Sequence, residues 1–184
     1  MSTKPFDSEG YQILREFLSP SVLPAIRASL DRCINLGLSR ADDQVPGTPA
    51  AYAYAATEEL LRLFTPVLEE ITGRQLFPTY SYFRIYKRGD CLPIHVDRPA
   101  CEVSLSLCVD CKAPEPWPIF VESARGDAVP LELLPGDALL YKGCDCKHWR
   151  EVFYGESAAQ VFFHYVDQHG SNASWRNDKR LGRT

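Results

Sequence analysis

The chain lacks any long apolar run. No stretch approaches the roughly 20 residues that a membrane-spanning helix requires, and Ser2–Gly10 is polar where a secretory leader would be apolar. Both absences lead to the expectation of a cytoplasmic protein with no membrane partner. An excess of basic residues is also missing. Lys and Arg number 20 against 24 Asp and Glu, a net charge of −4, which argues against nucleic acid as a general partner. There is no internal repeat. The seven cysteines are an odd number, so they cannot all pair, and reduced thiols are expected. Two close pairs, Cys108-x-x-Cys111 and Cys144-x-Cys146, invite a four-thiolate zinc site. The second gap is shorter than zinc knuckles favour, and Cys108 closes a strand-like run, so structural zinc is not the favoured reading.

At 184 residues with 45% hydrophobic and 24% charged side chains, the chain reads as one globular domain that can bury a sizeable core. Residues 11–73 read as helical support, 76–167 as a β-rich core and 168–184 as a polar, frayed tail. Tyr11–Phe17 alternates as a short strand. Ser19-Pro20 caps a helix over 19–36, with Val22, Leu23, Ile26, Leu30, Cys33 and Ile34 on its buried stripe. Residues 39–50 are rich in breakers and form a loop, and 38–56 is a candidate lid. Thr57 opens a second helix over 57–72, where Pro66 predicts a kink or two short helices with Thr65 as a second cap. From Leu76 the period changes to two. Strands are expected at 77–86, 91–96, 101–109, 117–122, 128–133, 137–142 and 159–167, the pattern of a sandwich or barrel.

The chemistry concentrates at His95-Val96-Asp97 and at His148. Two imidazoles and one carboxylate on one face of a metal, with other positions open, form the ligand set of non-haem Fe(II) oxygenases. Strand alternation puts His95 and Asp97 on one side and Val96 on the other. The turn Pro135-Gly-Asp feeds an apolar run that carries the chain towards His148.

The pattern Tyr86-x-x-Gly89-x5-His95-x-Asp97, then Pro135-Gly-Asp-Ala-Leu-Leu, then His148, resembles the Fe(II)/2-oxoglutarate dioxygenases of the prolyl 4-hydroxylase type. The resemblance covers about residues 77–167. It implies a double-stranded β-helix (jelly-roll) core with flanking helices, iron ligands at His95, Asp97 and His148, and a cosubstrate contact from Tyr86. It also implies decarboxylation of 2-oxoglutarate coupled to oxidation by O2, with a small molecule or a peptide side chain as substrate. One departure stands out. The family places an Arg or Lys some ten residues after the last His to meet the far carboxylate of 2-oxoglutarate, and Gly155–Tyr165 contains neither. Arg84, on the face shared by Tyr80, Tyr82 and Tyr86, is expected to take that role by gripping the carboxylate bidentately, with His164 as a second donor. Arg98, Arg150 and Tyr82 are candidates for substrate contact. Two other readings stay open: an Fe(II)/O2 jelly-roll enzyme that does not use 2-oxoglutarate, and a non-enzymatic jelly-roll binding module.

Overall fold

The computed structural model describes residues 5–123 and 125–180. Two antiparallel sheets face one another. The chain runs through a short helix α1 (Pro5–Ser8), β1 (Tyr11–Leu14), α2 (Leu23–Asn35), β2 (Ala50–Tyr52) and α3 (Ala55–Thr72). The strands β3 (Leu76–Lys87), β4 (Leu92–His95), β5 (Val103–Lys112), β6 (Ile119–Glu122), β7 (Ala128–Leu131), β8 (Ala138–Tyr141), β9 (His148–Arg150) and β10 (Ser157–Asp167) follow. The larger sheet has the order β1-β8-β5-β10-β3-β2 and the smaller β4-β9-β6-β7. This is the jelly-roll core with outer helices that the sequence predicts. Among the described residues no helix is long and apolar enough to cross a membrane.

Alternation decides what each face of the larger sheet does. Phe83, Ile85, Leu105, Leu107, Leu140, Val161, Phe163 and Tyr165 point outward and pack with Phe6, Leu30, Cys33, Leu61, Phe64 and Leu68 of the helices. Each fully buried leucine or phenylalanine there contributes roughly 2–3 kcal/mol by leaving water. The opposite face carries Tyr80, Tyr82, Arg84, Ser104, Ser106, Gln160 and His164, most of them buried polar groups. The apolar core therefore lies under the helices, and the space between the sheets is left to polar chemistry.

Several elements differ from expectation. The first strand stops at Leu14. Helix α2 starts at Leu23, not at Ser19, and Val22 precedes it without a side-chain cap; the Ser19 carbonyl instead accepts the Val22 amide in a turn. Helix α3 begins at Ala55, so Thr57 lies within its first turn and donates back to the Tyr54 carbonyl at 2.9 Å. Pro66 sits inside one uninterrupted helix, because the packing of Phe64 and Leu68 into the core outweighs one lost backbone bond. The breaker-rich segment hides an edge strand, β2, whose Ala50 and Tyr52 pair with Arg84 and Tyr82 of β3. The tail is a further correction. Through residue 180 it is folded against β3, with 3₁₀ turns over Ala173–Lys179 broken by a kink at Arg176, Asn177 and Asp178 and Trp175 against Tyr80, Ala100 and Cys101. Arg180 donates to Glu58 at 3.0 Å and to the Thr79 carbonyl at 2.6 Å. These contacts explain why a polar tail is ordered. Residues 181–184 of the predicted tail lie outside the described residues.

Candidate metal centre

β4 ends at His95, and the pairing His95↔His148 brings β9 beside it. Asp97 lies just beyond the strand rather than within it. Its amide donates to the Gly143 carbonyl at 2.8 Å, which turns the side chain back towards the two imidazoles. His95 Nε2 stands 3.5 Å and His148 Nε2 3.8 Å from Asp97 Oδ1. The three ligand-type atoms all lie within 4.8 Å of one another.

Each imidazole is pre-set for ligation. His95 Nδ1 donates to the Pro93 carbonyl at 2.8 Å and His148 Nδ1 to the Cys146 carbonyl at 2.9 Å. With the proton on Nδ1, both Nε2 lone pairs face the shared space. Burial pulls the His148 pKa down, against the opposing charge of Asp97. Burial acts in the same direction on His95, but its hydrogen bonds to Asp97 and the Pro93 carbonyl outweigh it, and its pKa is raised. For Asp97, burial pushes up while the contacts with His95, His148 and His164 bring the net down, so it is a carboxylate at neutral pH. The Tyr141 hydroxyl donates to Asp97 Oδ2 at 3.4 Å. Gly143 is required by space: a Cβ there would stand 2.3 Å from the Cys101 carbonyl oxygen and 2.6 Å from Asp97 Oδ2.

The triad opens into a cavity of about 270 Å³ lined by Tyr52, Tyr80, Tyr82, Arg84, Arg98 and His164 among others. Arg84 is buried, and its guanidinium is occupied: Asp42 pairs with it, Gln44 Oε1 accepts at 3.1 Å and the Tyr86 hydroxyl at 3.1 Å. Tyr82 also donates to Asp42. Asp42 itself is held in a turn by the amides of Gln44 and Val45, so the predicted lid segment reaches into the cavity through one carboxylate. Tyr86 is wholly buried among Val45, Leu92, Phe153 and Ala158 and is not on the cavity wall. His164 Nδ1 donates to Ser104 Oγ at 2.8 Å, because that hydroxyl's proton goes to the Cys101 carbonyl at 3.0 Å. Arg98, at the mouth, is bound by Asp178 of the tail at 2.6 and 2.9 Å. Arg150 is buried against Trp117, with Nη1 on the Trp117 carbonyl at 2.7 Å and its guanidinium 4.4 Å from that ring.

Asp42, Gln44, Tyr141, Gly143 and Asp178 escape sequence reasoning. Only Tyr141 has a signal, as the last residue of the Pro135-Gly-Asp-Ala-Leu-Leu-Tyr run. The cysteine pairs form no metal site: among the described residues, the groups able to hold an ion contain only Cys101 of the seven thiols, while Cys144 and Cys146 sit on the carbonyls of Arg98 and Glu122.

Among the described residues, four buried side-chain polar atoms have no hydrogen-bond partner: Arg84 Nε, Ser106 Oγ, Arg150 Nη2 and Gln160 Oε1. Register places them on the inner face of the barrel. Gln160 is opposite Arg84 and Cys108, Ser106 is opposite Phe162, and Arg150 is opposite Leu92. Orphaned buried polar groups are rare in folded proteins. Four around one interior, beside a two-His, one-carboxylate donor set, fit a bound metal and a small polar ligand.

No family model matches the chain, and no curated protein matches it. Its fold has many solved counterparts. A prolyl-4-hydroxylase from Pseudomonas putida superposes with a TM-score of 0.73 at 14% identity, over 89% of this chain and 95% of that one. The non-haem α-ketoglutarate-dependent carbocyclase SnoK of nogalamycin biosynthesis gives 0.76 at 11% identity, over 88% and 81%. HygX from Streptomyces hygroscopicus, solved with nickel and 2-oxoglutarate bound, gives 0.70 at 16% identity, over 91% and 86%. The architecture is thus the jelly roll of the Fe(II)/2-oxoglutarate oxygenases, and of the prolyl hydroxylases among them.

Proposed function

We propose that the chain is a mononuclear Fe(II) oxygenase that couples decarboxylation of 2-oxoglutarate to hydroxylation of a small molecule or an amino-acid side chain. The observation that carries this reading is the convergence of His95 Nε2, His148 Nε2 and Asp97 Oδ1 at the mouth of a barrel whose interior holds four unpartnered polar atoms. The nature of the fold's counterparts supports it, HygX with its bound nickel and 2-oxoglutarate in particular. In this reading His95, Asp97 and His148 hold the iron, and the bound centre supplies the activation of O2 and the radical chemistry. The rest falls to the chain itself. The Pro93 and Cys146 carbonyls keep both imidazoles in the ligating tautomer, and the Gly143 carbonyl and Tyr141 hydroxyl fix Asp97. Tyr52, Tyr80 and Tyr82 exclude water from one wall, and Arg98 with Tyr82 lies where a substrate enters. The acidic balance and the modest cavity favour a small substrate over bulk nucleic acid. A cytoplasmic setting belongs to the same proposal, supported by seven free thiols.

The absence of Arg and Lys from Gly155–Tyr165 favours a second reading, an Fe(II)/O2 enzyme that does not use 2-oxoglutarate. One pair of measurements separates the two, and separates both from a binding module. Anaerobic titration should give one Fe(II) per chain, lost in His95→Ala and His148→Ala. Aerobic incubation with 2-oxoglutarate should then release succinate. Iron without succinate turns the assignment to the second reading, and equal iron in wild type and variants refutes the metal site.

A further inference from the structure

A second cavity, of about 290 Å³, is lined by Arg150, Gln160, Cys108, Cys111 and Trp117; Arg150 and Gln160 pair in register with Leu92 and Arg84 of the metal cavity. Arg150 and Gln160 are 3% and 2% exposed. We infer that Arg150, assisted by the amide of Gln160, is the seat of the far carboxylate of a dicarboxylic 2-oxo acid whose other end lies at the metal. This rests on the oxygenase reading above and names the residue that the last strand fails to provide.

Among the described residues two guanidinium groups, those of Arg84 and Arg150, are buried between the sheets, and Arg150 is the one without a carboxylate partner. Arg84 already has a carboxylate partner in Asp42 and further acceptors in Gln44 and Tyr86. A ligand carboxylate arriving there would have to displace Asp42. Arg150 has one carbonyl, one aromatic face and an unpartnered Nη2. Among the described residues no carboxylate forms an ion pair with it, and Cys108, Cys111 and Tyr141 beside it are thiols and a phenol whose pKa values burial raises. A buried guanidinium without an anion is a state that folding alone disfavours. A carboxylate would complete it, and a guanidinium fork matches that group. Gln160 Oε1 is also unpartnered; a half-turn of its amide presents the NH2 to the same carboxylate.

The placement suits a ligand that bridges from the metal. Arg150 follows His148 by two residues on β9, so both side chains leave the strand on one face, about 6.6 Å apart along it. That is comparable to the length of a five-carbon dicarboxylate. The outer rim of the second cavity carries the exposed Glu115 and Glu132, which disfavour entry of a dianion from that side and leave the metal side as the route.

The test compares 2-oxoglutarate with pyruvate, a 2-oxo acid without a far carboxylate, by calorimetry on the anaerobic Mn(II)-loaded protein. Wild type should prefer 2-oxoglutarate by about 30-fold or more, the effect of leaving a buried charge pair unmade. Arg150→Gln should lose that preference while keeping Mn(II) and pyruvate binding, Arg150→Lys should recover part of it, and Arg84→Gln should keep it. Arg150→Met, similar in length and uncharged, repeats the measurement should the glutamine variant fold poorly. Retention of the preference in Arg150→Gln overturns the inference, as does an equal loss of both ligands, which would mean that Arg150 only shapes the barrel. If wild type binds Mn(II) but neither acid, the 2-oxoglutarate reading falls first and takes this assignment with it.

Discussion

Replacing His164 by Asn in the metal-free protein should remove a specific acid sensitivity. The imidazole is 4% exposed, and its Nδ1 is committed to Ser104 Oγ. Burial, against the opposing charge of Asp97, pulls its pKa down to about 4. In the unfolded chain the same group titrates near 6.5. The sign follows from proton counts. Above about pH 6.5 the ring is neutral in both states and contributes nothing to the pH dependence. Between about 6.5 and 4 the unfolded chain takes up a proton that the folded chain refuses, so stability falls as pH falls. Below the folded value both states are protonated and the loss has reached its full size, about 3 kcal/mol for a shift of this extent. From pH 7 to about pH 4.5, most of it, about 2.5 kcal/mol, should appear. His148, also lowered, adds in the same direction, whereas His95, raised, opposes it. The carboxylates with lowered pKa, Asp42, Asp97, Asp137 and Asp178, give up their stabilisation only as pH drops below about 4. The wild-type curve alone is therefore a sum, and the difference from His164→Asn isolates the ring. Urea unfolding in the presence of a chelator at several pH values measures it. Parallel curves, differing by less than about 0.5 kcal/mol across the window, would refute the argument that a neutral buried imidazole sets acid stability.

Gly143→Ala should lower stability by about 1–3 kcal/mol, because the new methyl meets the Cys101 carbonyl and Asp97 with no room to yield. It should also weaken metal binding by roughly 10–100-fold by displacing Asp97. Metal content and thermal midpoint equal to wild type would contradict both. Asp178→Asn should cost less than about 1 kcal/mol, since Arg98 is substantially exposed. It should nevertheless lower the pKa of Tyr52, which burial and then the hydrogen bond from Tyr52 to Asp178 push up to about 12. Tyrosinate absorbance titration reads that change, and an unmoved curve would detach the tail from the cavity wall.

Much of the architecture was legible because it follows from alternation and helical spacing. The long strands β3, β5 and β10 were expected to within a few residues, since side chains packed on one face repeat every second position over ten or more residues. The short pieces were not. β2 and β9 have three residues each, too few for a period, and both exist because a long strand or a ligand-bearing neighbour offers them backbone partners. The tail misled for a related reason. Its composition is polar, and its order comes from particular distant partners, Glu58, Thr79 and Arg98, which no local pattern announces. The gathering of His95, Asp97 and His148 in one place was expected from the His-x-Asp spacing together with the family resemblance. The groups that orient them were not legible, because three are backbone carbonyls, those of Pro93, Cys146 and Gly143, and the fourth is the hydroxyl of Tyr141 at the end of an apolar run.

The cation for a dicarboxylate shows the limit of reading by position. The last strand holds no Arg or Lys, and Ala158, opposite Tyr86, has only a methyl group to turn inward. That strand forms one wall of the barrel. A buried carboxylate requires compensating charge within a few ångströms in any direction, and the other sheet supplies a guanidinium from β9. The two facts fit together sterically as well as electrically. A long basic side chain at 158 would crowd a barrel that already holds Arg84 and Arg150, whereas alanine leaves the interior open between them. On the proposal that Arg150 seats the far carboxylate, the basic residue missing from the last strand and an Arg150 without a carboxylate partner are one feature, a charge transferred from one wall to the other. Such a transfer preserves the electrostatics of the site while erasing the sequence signature by which it would ordinarily be found.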